Sequence, residues 1–326
     1  MELLRDGDID MAPLAGKRVA ILGYGNQGRA QALNLKDSGI DVVVGLRDAS
    51  SSRQAAEAAG LTVAPVEDAA ASADVVMFLA PDEVLPGIYA EIEGRLKNGA
   101  AIGFSHGLAI HFGLIAPNAD LDVFMVAPKG PGSALRSLYT AGQGMIGLWA
   151  VSHDASGTAR QLALAYGKAI GCARAGLIAS SFGEECEADL FNEQAVVWGA
   201  VPEILVAGFE TLVDEGISPE VAFLECIGEL KLIAELIEAR GIAGMREAIS
   251  NTAELGAVLG GPRIVDEHVR RKMQDVFADV SSGRFAEQLR NEAAEGYPLL
   301  AQARRVARAH AVEHIFRKLR AVSAKS

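Results

Sequence analysis

The stretch Val19-Ala20-Ile21-Leu22-Gly23-Tyr24-Gly25-Asn26-Gln27-Gly28 decides the fold. Four apolar residues make a buried strand, and glycines at 23, 25 and 28 then make a turn that opens an Ala/Leu-rich helix. Side chains in that turn would hold the backbone away from a pyrophosphate, while the helix N-terminus offers amide N–H groups and a partial positive charge. The hexapeptide alone is also found as a merely tight turn, so its strand-turn-helix setting is what predicts a dinucleotide site.

Working outward, apolar runs recur at residues 42–44, 75–79, 100–104, 123–127 and 145–151, separated by longer Ala-rich stretches. That alternation predicts an α/β domain with a doubly wound parallel sheet whose strands are buried on both faces. After about residue 181 the texture changes. Residues 184–246 read as long helices with apolar residues three and four apart, interrupted at Val201-Pro202, at Gly216-Ile217-Ser218-Pro219 and at Gly241. More helix is expected over 266–277, then a Ser281-Ser282-Gly283 break, then a basic helix over 298–320. The expected organisation is a dinucleotide domain over 1–181 and an all-helical domain over 182–326.

With 30 Lys and Arg against 42 Asp and Glu, the chain carries a net charge of −12, which repels nucleic-acid phosphates and anionic lipid headgroups alike. Cys172, Cys186 and Cys226 stand singly, without the paired spacing of a zinc or disulfide framework. The acidic start, with Glu2, Asp6, Asp8 and Asp10, is unlike a basic, apolar-cored signal sequence. A cytoplasmic protein with a small-molecule ligand is the expectation.

The second predicted strand ends at Gly45-Leu46-Arg47, where NAD-selective folds usually place an acid on the ribose hydroxyls. Here Arg47 stands with Ser50, Ser51 and Ser52, a set that suits a 2′-phosphate and points to NADP, although Asp48 adjoins it. In the helical half, Asp189 and Glu193 are four residues apart, and so are Glu225 and Glu229. Each pair shares one helix face, because four steps of about 100° return to within about 40°. Solvated acidic faces are the plain reading of such spacing. The apolar company of Leu190, Phe191, Val196, Val197, Trp198, Phe223, Leu224, Ile227, Leu230 and Ile233 argues instead for a shared cation, and an all-oxygen set suits Mg²⁺. His106 and Lys129 each follow a predicted strand and so face the ligand crevice of an open sheet. These features fit a metal-dependent NADP oxidoreductase. They also leave room for a nucleotide-binding module whose helical half only dimerises.

Taken together, the residues resemble the ketol-acid reductoisomerase family in its short bacterial form, from about Leu14 to Arg320. The resemblance rests on Gly23 to Gly28 with Ala32-Leu33-Asn34-Leu35, on Pro81-Asp82-Glu83-Val84, on Ser105-His106-Gly107 and on Ala127-Pro128-Lys129-Gly130-Pro131-Gly132. It continues through Asp189-Leu190-Phe191-Asn192-Glu193-Gln194, Glu229-Leu230-Lys231 and Ile249-Ser250-Asn251-Thr252-Ala253-Glu254. It implies a Rossmann domain followed by a knotted helical domain, NADPH, two Mg²⁺ ions and a homodimer of intertwined helical halves. Gly23, Tyr24, Gly25, Asn26, Gln27, Gly28, Arg47, Ser50, Ser52, Asp82, Glu83, Val84, Leu85 and Gly132 would line the cofactor. Asp189 would bridge both ions, with Glu193 on one and Glu225 and Glu229 completing the set. Ser250 would hold the substrate carboxylate, His106 and Lys129 would stand near the nicotinamide, and Glu229 would handle the proton. The implied reaction is an alkyl shift in a 2-acetohydroxy acid, then reduction to a 2,3-dihydroxy acid.

The chain departs from the family pattern at Ser133 and Gly228, where His is usual, and at Ala188, where Thr is usual. It departs again at Asn192, usually Gly, and at Glu247-Ala248, usually Tyr-Ser. All lie close in sequence to metal or substrate positions, which points to an altered substrate rather than a different reaction class.

Overall fold

A computed structural model describes residues 2–323. The chain divides into two compact units, the first ending at Ala188 and the second beginning at Asp189. The first is built on nine strands: β1 (Leu3–Leu4), β2 (Arg18–Leu22), β3 (Asp41–Gly45), β4 (Thr62–Ala64), β5 (Val75–Phe78), β6 (Ala101–Phe104), β7 (Asp122–Pro128), β8 (Gly147–His153) and β9 (Leu177–Ala179). Their spatial order is β1-β9-β8-β7-β6-β5-β2-β3-β4. From β4 through β2 to β7 all neighbours are parallel, and the chain winds outward from β2 in both directions. The order therefore reverses between β2 and β5. Ligands of such sheets bind outside the carboxyl ends of the strands at that reversal.

Strands β2, β5, β6 and β7 are almost wholly buried, as their unbroken apolar runs require. Two clusters of buried side chains lie on the sheet, one centred on Val19, Ile21 and Tyr166, the other on Leu22, Phe78 and Phe104. The sheet is not parallel throughout: β8 runs antiparallel to β7, and β1 antiparallel to β9. Apolar periodicity reports burial, not direction, so nothing in those runs marks the reversal. Strands β1, β4 and β9 were not anticipated, since runs of two or three residues carry almost no pattern.

Among the described residues, no strand follows β9, and the remainder is helical. The basic stretch forms two helices, Pro298–Ala309 and Ala311–Ser323, broken where His310 is extended at ψ 146°. The second unit buries few large side chains, among them Phe209, Val280 and Ile315, while Trp198, Leu224, Leu232, Leu255, Leu259, Ile264, Leu299 and Val306 are each at least half exposed. The span Phe182–Asp214 is long and apolar enough, by length and composition alone, to cross a membrane.

Candidate active site

The glycine turn follows β2 directly, and its three glycines are bare for three different reasons. Gly23 has φ +101°, and a Cβ there would lie 2.8 Å from the Ala80 amide nitrogen, so the turn at the strand reversal packs against the chain leaving β5. A Cβ on Gly28 would lie 2.3 Å from the Gly23 carbonyl oxygen. A Cβ on Gly25, by contrast, would meet nothing within 4 Å, and its φ is an ordinary −80°. Neither packing nor backbone strain explains that glycine, and the space it leaves open at the N-terminus of the helix Asn26–Asp37 is where a pyrophosphate would approach. The turn is also tied to the loop after β7. Gln27 Nε2 donates to the Gly130 carbonyl at 2.9 Å, the Ser133 amide donates to Asn26 Oδ1 at 2.8 Å, and a Cβ on Gly132 would sit 2.2 Å from the Asn26 carbonyl oxygen. Asp82, Glu83 and Val84 form a single 3₁₀ turn after β5, with Leu85 buried behind them.

At the end of β3, Arg47 is exposed, and its carbonyl accepts the Ser50 amide at 3.0 Å. Ser50 Oγ in turn accepts the Ser52 amide at 3.3 Å. Asp48, almost fully exposed, lies 3.6 Å from Arg53, so its charge is partly answered by that guanidinium rather than by Arg47.

The most tightly organised group in the first unit contains a residue the sequence reading missed. Glu185, only 1% exposed, accepts the Gly107 amide at 2.8 Å and meets His106 Nδ1 at 3.0 Å through Oε2, and Lys129 Nζ at 3.1 Å through Oε1. His106 comes from the end of β6 and Lys129 from the end of β7, so one carboxylate joins both predicted residues. Burial pulls the His106 pKa down, but hydrogen bonds to Cys186 and Glu185, with the Glu185 charge, hold it well above its ordinary value. Burial pushes the Glu185 carboxyl up, yet His106 and Lys129 hold it below the ordinary range. The site thus keeps a buried carboxylate ionised between two cations. The available signal was spacing: Glu185, Asp189 and Glu193 follow at four-residue intervals on the helix Phe182–Ala195.

The second unit does not unite the quartet. Among the described residues, Asp189, Glu193, Glu225 and Glu229 do not form one cluster of ligand atoms within the chain. Asp189 is half-buried, and Glu193, Glu225 and Glu229 are exposed. The expected apolar burial around them is largely lacking, since Val196, Val197, Trp198, Leu224, Leu230 and Ile233 are exposed. Nor do Glu225 and Glu229 sit on a regular α-helix: Leu224–Gly228 is a π-turn, a feature often found at functional sites. Ser250 caps the helix Asn251–Ile264, its Oγ accepting the Ala253 amide at 3.2 Å, which leaves its own proton to donate. Of the departures, Gly228 is informative. A Cβ there would have no neighbour closer than 3.7 Å, so packing does not demand a glycine.

Residues 13–176 match the family described as acetohydroxy acid isomeroreductase, NADPH-binding domain, and residues 182–325 match ketol-acid reductoisomerase, C-terminal domain. The chain is similar to the structure of an NADH-preferring ketol-acid reductoisomerase from an uncultured archaeon, at 43% identity over 98% of each chain with a TM-score of 0.95. More distantly it resembles a semialdehyde dehydrogenase NAD-binding protein from Cupriavidus necator solved with calcium and NAD (18% identity, 81% of this chain and 99% of that one, TM-score 0.61). It likewise resembles Plasmodium falciparum pyrroline carboxylate reductase with NADP bound (12% identity, 82% and 98%, TM-score 0.54). The last two share the fold alone. Matched along both its domains and aligned almost end to end with an archaeal relative, the chain belongs to the ketol-acid reductoisomerase family.

Proposed function

We propose that the protein is a Mg²⁺-dependent, NADPH-using ketol-acid reductoisomerase acting on a 2-acetohydroxy acid of the 2-acetolactate type, as in branched-chain amino-acid biosynthesis. The observation that carries this reading is Glu185 bridging His106 and Lys129 beside the glycine turn. It sets an ionised, buried carboxylate and two cations where a nicotinamide and an anionic substrate would meet.

When bound, Mg²⁺ supplies Lewis acidity for the alkyl shift and NADPH supplies the hydride. Open space at Gly25 fits the dinucleotide, and an all-carboxylate donor set fits a hard divalent cation. Asp189, Glu193, Glu225 and Glu229 would hold the metal. Glu229 takes the proton of the substrate's hydroxyl, so that the alkyl group migrates to the adjacent carbonyl carbon. Ser250 donates its free proton to the substrate carboxylate, and Lys129 places positive charge near the oxygen that gains negative charge during reduction. Arg47, Ser50 and Ser52 support NADPH; the archaeal relative, described as NADH-preferring, makes the choice an experimental one.

A homodimer accounts for two features together. The quartet is incomplete in one chain, and the unit that carries it exposes large apolar side chains, which soluble monomers rarely do on this scale. A second copy that covers this surface would bring its Glu225 and Glu229 to the Asp189 and Glu193 of the first. A related acid is the second reading for the substrate, favoured by Gly228, whose missing side chain opens space that packing does not require.

The test is turnover of 2-acetolactate with Mg²⁺ and either dinucleotide, followed by nicotinamide absorbance and by mass detection of the 2,3-dihydroxy acid. Product formed only with both metal and dinucleotide supports the proposal. Absence of turnover with 2-acetolactate and its longer homologues overturns it.

A further inference from the structure

A buried hydrogen-bond network in the first unit has no part in the reaction as derived so far. Gln31 lies one turn after Gln27 on the helix Asn26–Asp37 and is fully buried, a rare place for an amide side chain. Its Oε1 accepts the proton of the Tyr166 hydroxyl at 2.6 Å, and its Nε2 donates to Gln27 Oε1 at 3.1 Å and to Ser105 Oγ at 2.9 Å. Both of its N–H groups are therefore engaged. Two branches lead on from it. Ser105 Oγ donates to the Val126 carbonyl at 2.9 Å, and Gln27 Nε2 donates to the Gly130 carbonyl at 2.9 Å. Carbonyls only accept, so the direction of each bond is set all the way back to Tyr166, itself fully buried on the helix Ala159–Ala169. A flipped Gln31 amide would break both branches. Such a directed chain, satisfied at every step in a dry interior, holds its members in one arrangement.

The two branches end beside the residues that the reaction needs. Ser105 immediately precedes His106, and Gly130 immediately follows Lys129. Glu185 holds the charged ends of those two side chains, whereas the Gln31 network holds the backbone from which they project and ties it to the helix that opens at the glycine turn. We infer, on the strength of the reaction proposed above, that Gln31 is a positioning residue for it. Through Ser105 and Gln27 it fixes His106 and Lys129 relative to the bound dinucleotide, and so sets the alignment for hydride transfer. Packing alone does not call for glutamine there, since an unbranched apolar side chain of the same length fills a similar volume.

Gln31→Met keeps the length of the side chain and removes all of its hydrogen bonds. Amide hydrogen exchange of the folded variant, read by mass spectrometry, rises about ten-fold or more over residues 104–107 and 129–133 and stays unchanged over β3 and β4. With 2-acetolactate, Mg²⁺ and NADPH, kcat falls roughly ten-fold while NADPH affinity stays within about three-fold, the split expected of lost alignment. In a Glu185→Gln background, where the charged ends are already released, the same change costs less than about two-fold, a coupling that a merely stabilising residue would not show. Ser105→Ala cuts one branch only: exchange rises over 104–107 and not over 129–133, which keeps the test open if Gln31→Met does not fold. The inference is overturned if the folded variants exchange at wild-type rates in these segments, if exchange rises equally across the sheet, or if Gln31→Met keeps its full cost beside Glu185→Gln. A wild type inactive toward every 2-acetohydroxy acid would instead overturn the reaction, and exchange would still judge the network.

Discussion

Oε2 of Glu185 lies 3.0 Å from Nδ1 of His106, and that contact ties the end of β6 to the helix Phe182–Ala195. Because the other carboxylate oxygen holds Lys129, removing the charge disturbs two cations at once. Glu185→Gln keeps the shape and removes the charge. Turnover should fall about 100-fold, the scale of a lost acid–base or electrostatic partner, with dinucleotide affinity little changed. Steady-state kinetics on the folded variant decide it; unchanged turnover would remove Glu185 from the site.

The three glycines of the turn should fail differently. Gly28→Ala drives a methyl against the Gly23 carbonyl and should cost about 1–3 kcal/mol of stability, as overpacking does. Gly25→Val has room for its first carbon and should melt near the wild-type temperature while losing dinucleotide affinity. Thermal melts with and without NADPH separate the two, and equal melting of both variants would contradict the assignment of Gly25.

Cofactor choice should turn on Arg47. Arg47→Ala removes a guanidinium suited to a 2′-phosphate, so kcat/KM for NADPH should fall about ten-fold while that for NADH stays within about two-fold. A uniform fall with both cofactors would mean that Arg47 meets the shared part of the dinucleotide, and the NADPH preference would be withdrawn.

Asp74 offers a pH test remote from the chemistry. Burial raises its pKa, but Lys97 at 2.8 Å and the Arg18 amide at 2.9 Å outweigh it and hold the carboxyl low. A pKa depressed by folding contributes stability above the unfolded value, which is lost as pH falls through the folded value. Asp74→Asn should therefore destabilise the protein at neutral pH, by less than about 1 kcal/mol given its partial exposure, and the difference should begin to shrink near the unfolded carboxyl value of about pH 4 and vanish only below the lower, folded value. Chemical denaturation at neutral pH and at a series of pH values descending from about 4 measures it.

What the sequence discloses follows from what leaves a pattern in it. The runs that became β2 and β5 are continuous because both faces of those strands are covered, and the glycines between β2 and its helix announce the turn. The antiparallel direction of β8 leaves no such trace. Glu185 was hidden among Glu184 and Glu187, which together look like a solvated face; only its register with Asp189 sets it apart. The π-turn through Leu224–Gly228 is equally silent, since a one-residue expansion changes no apolar spacing that a reader would notice. The apolar residues around the quartet were legible as buried but not as uncovered in one chain: periodicity states that a face is to be buried, and not by which molecule.

That last ambiguity can be resolved by mixing variants. If the two carboxylate pairs of one metal centre come from different copies, Asp189→Asn and Glu229→Gln homodimers should each be inactive. A mixed dimer then holds one centre with both changes and one with neither. Random exchange of subunits makes half the dimers mixed, and each has one intact centre of two, so activity should return to about a quarter of wild type under twofold symmetry. If both pairs of a centre came from the same copy, every centre in every mixture would carry one change and no activity would return. Refolding the two inactive variants together and assaying 2-acetolactate turnover distinguishes these outcomes, and it does so whichever dinucleotide the protein prefers.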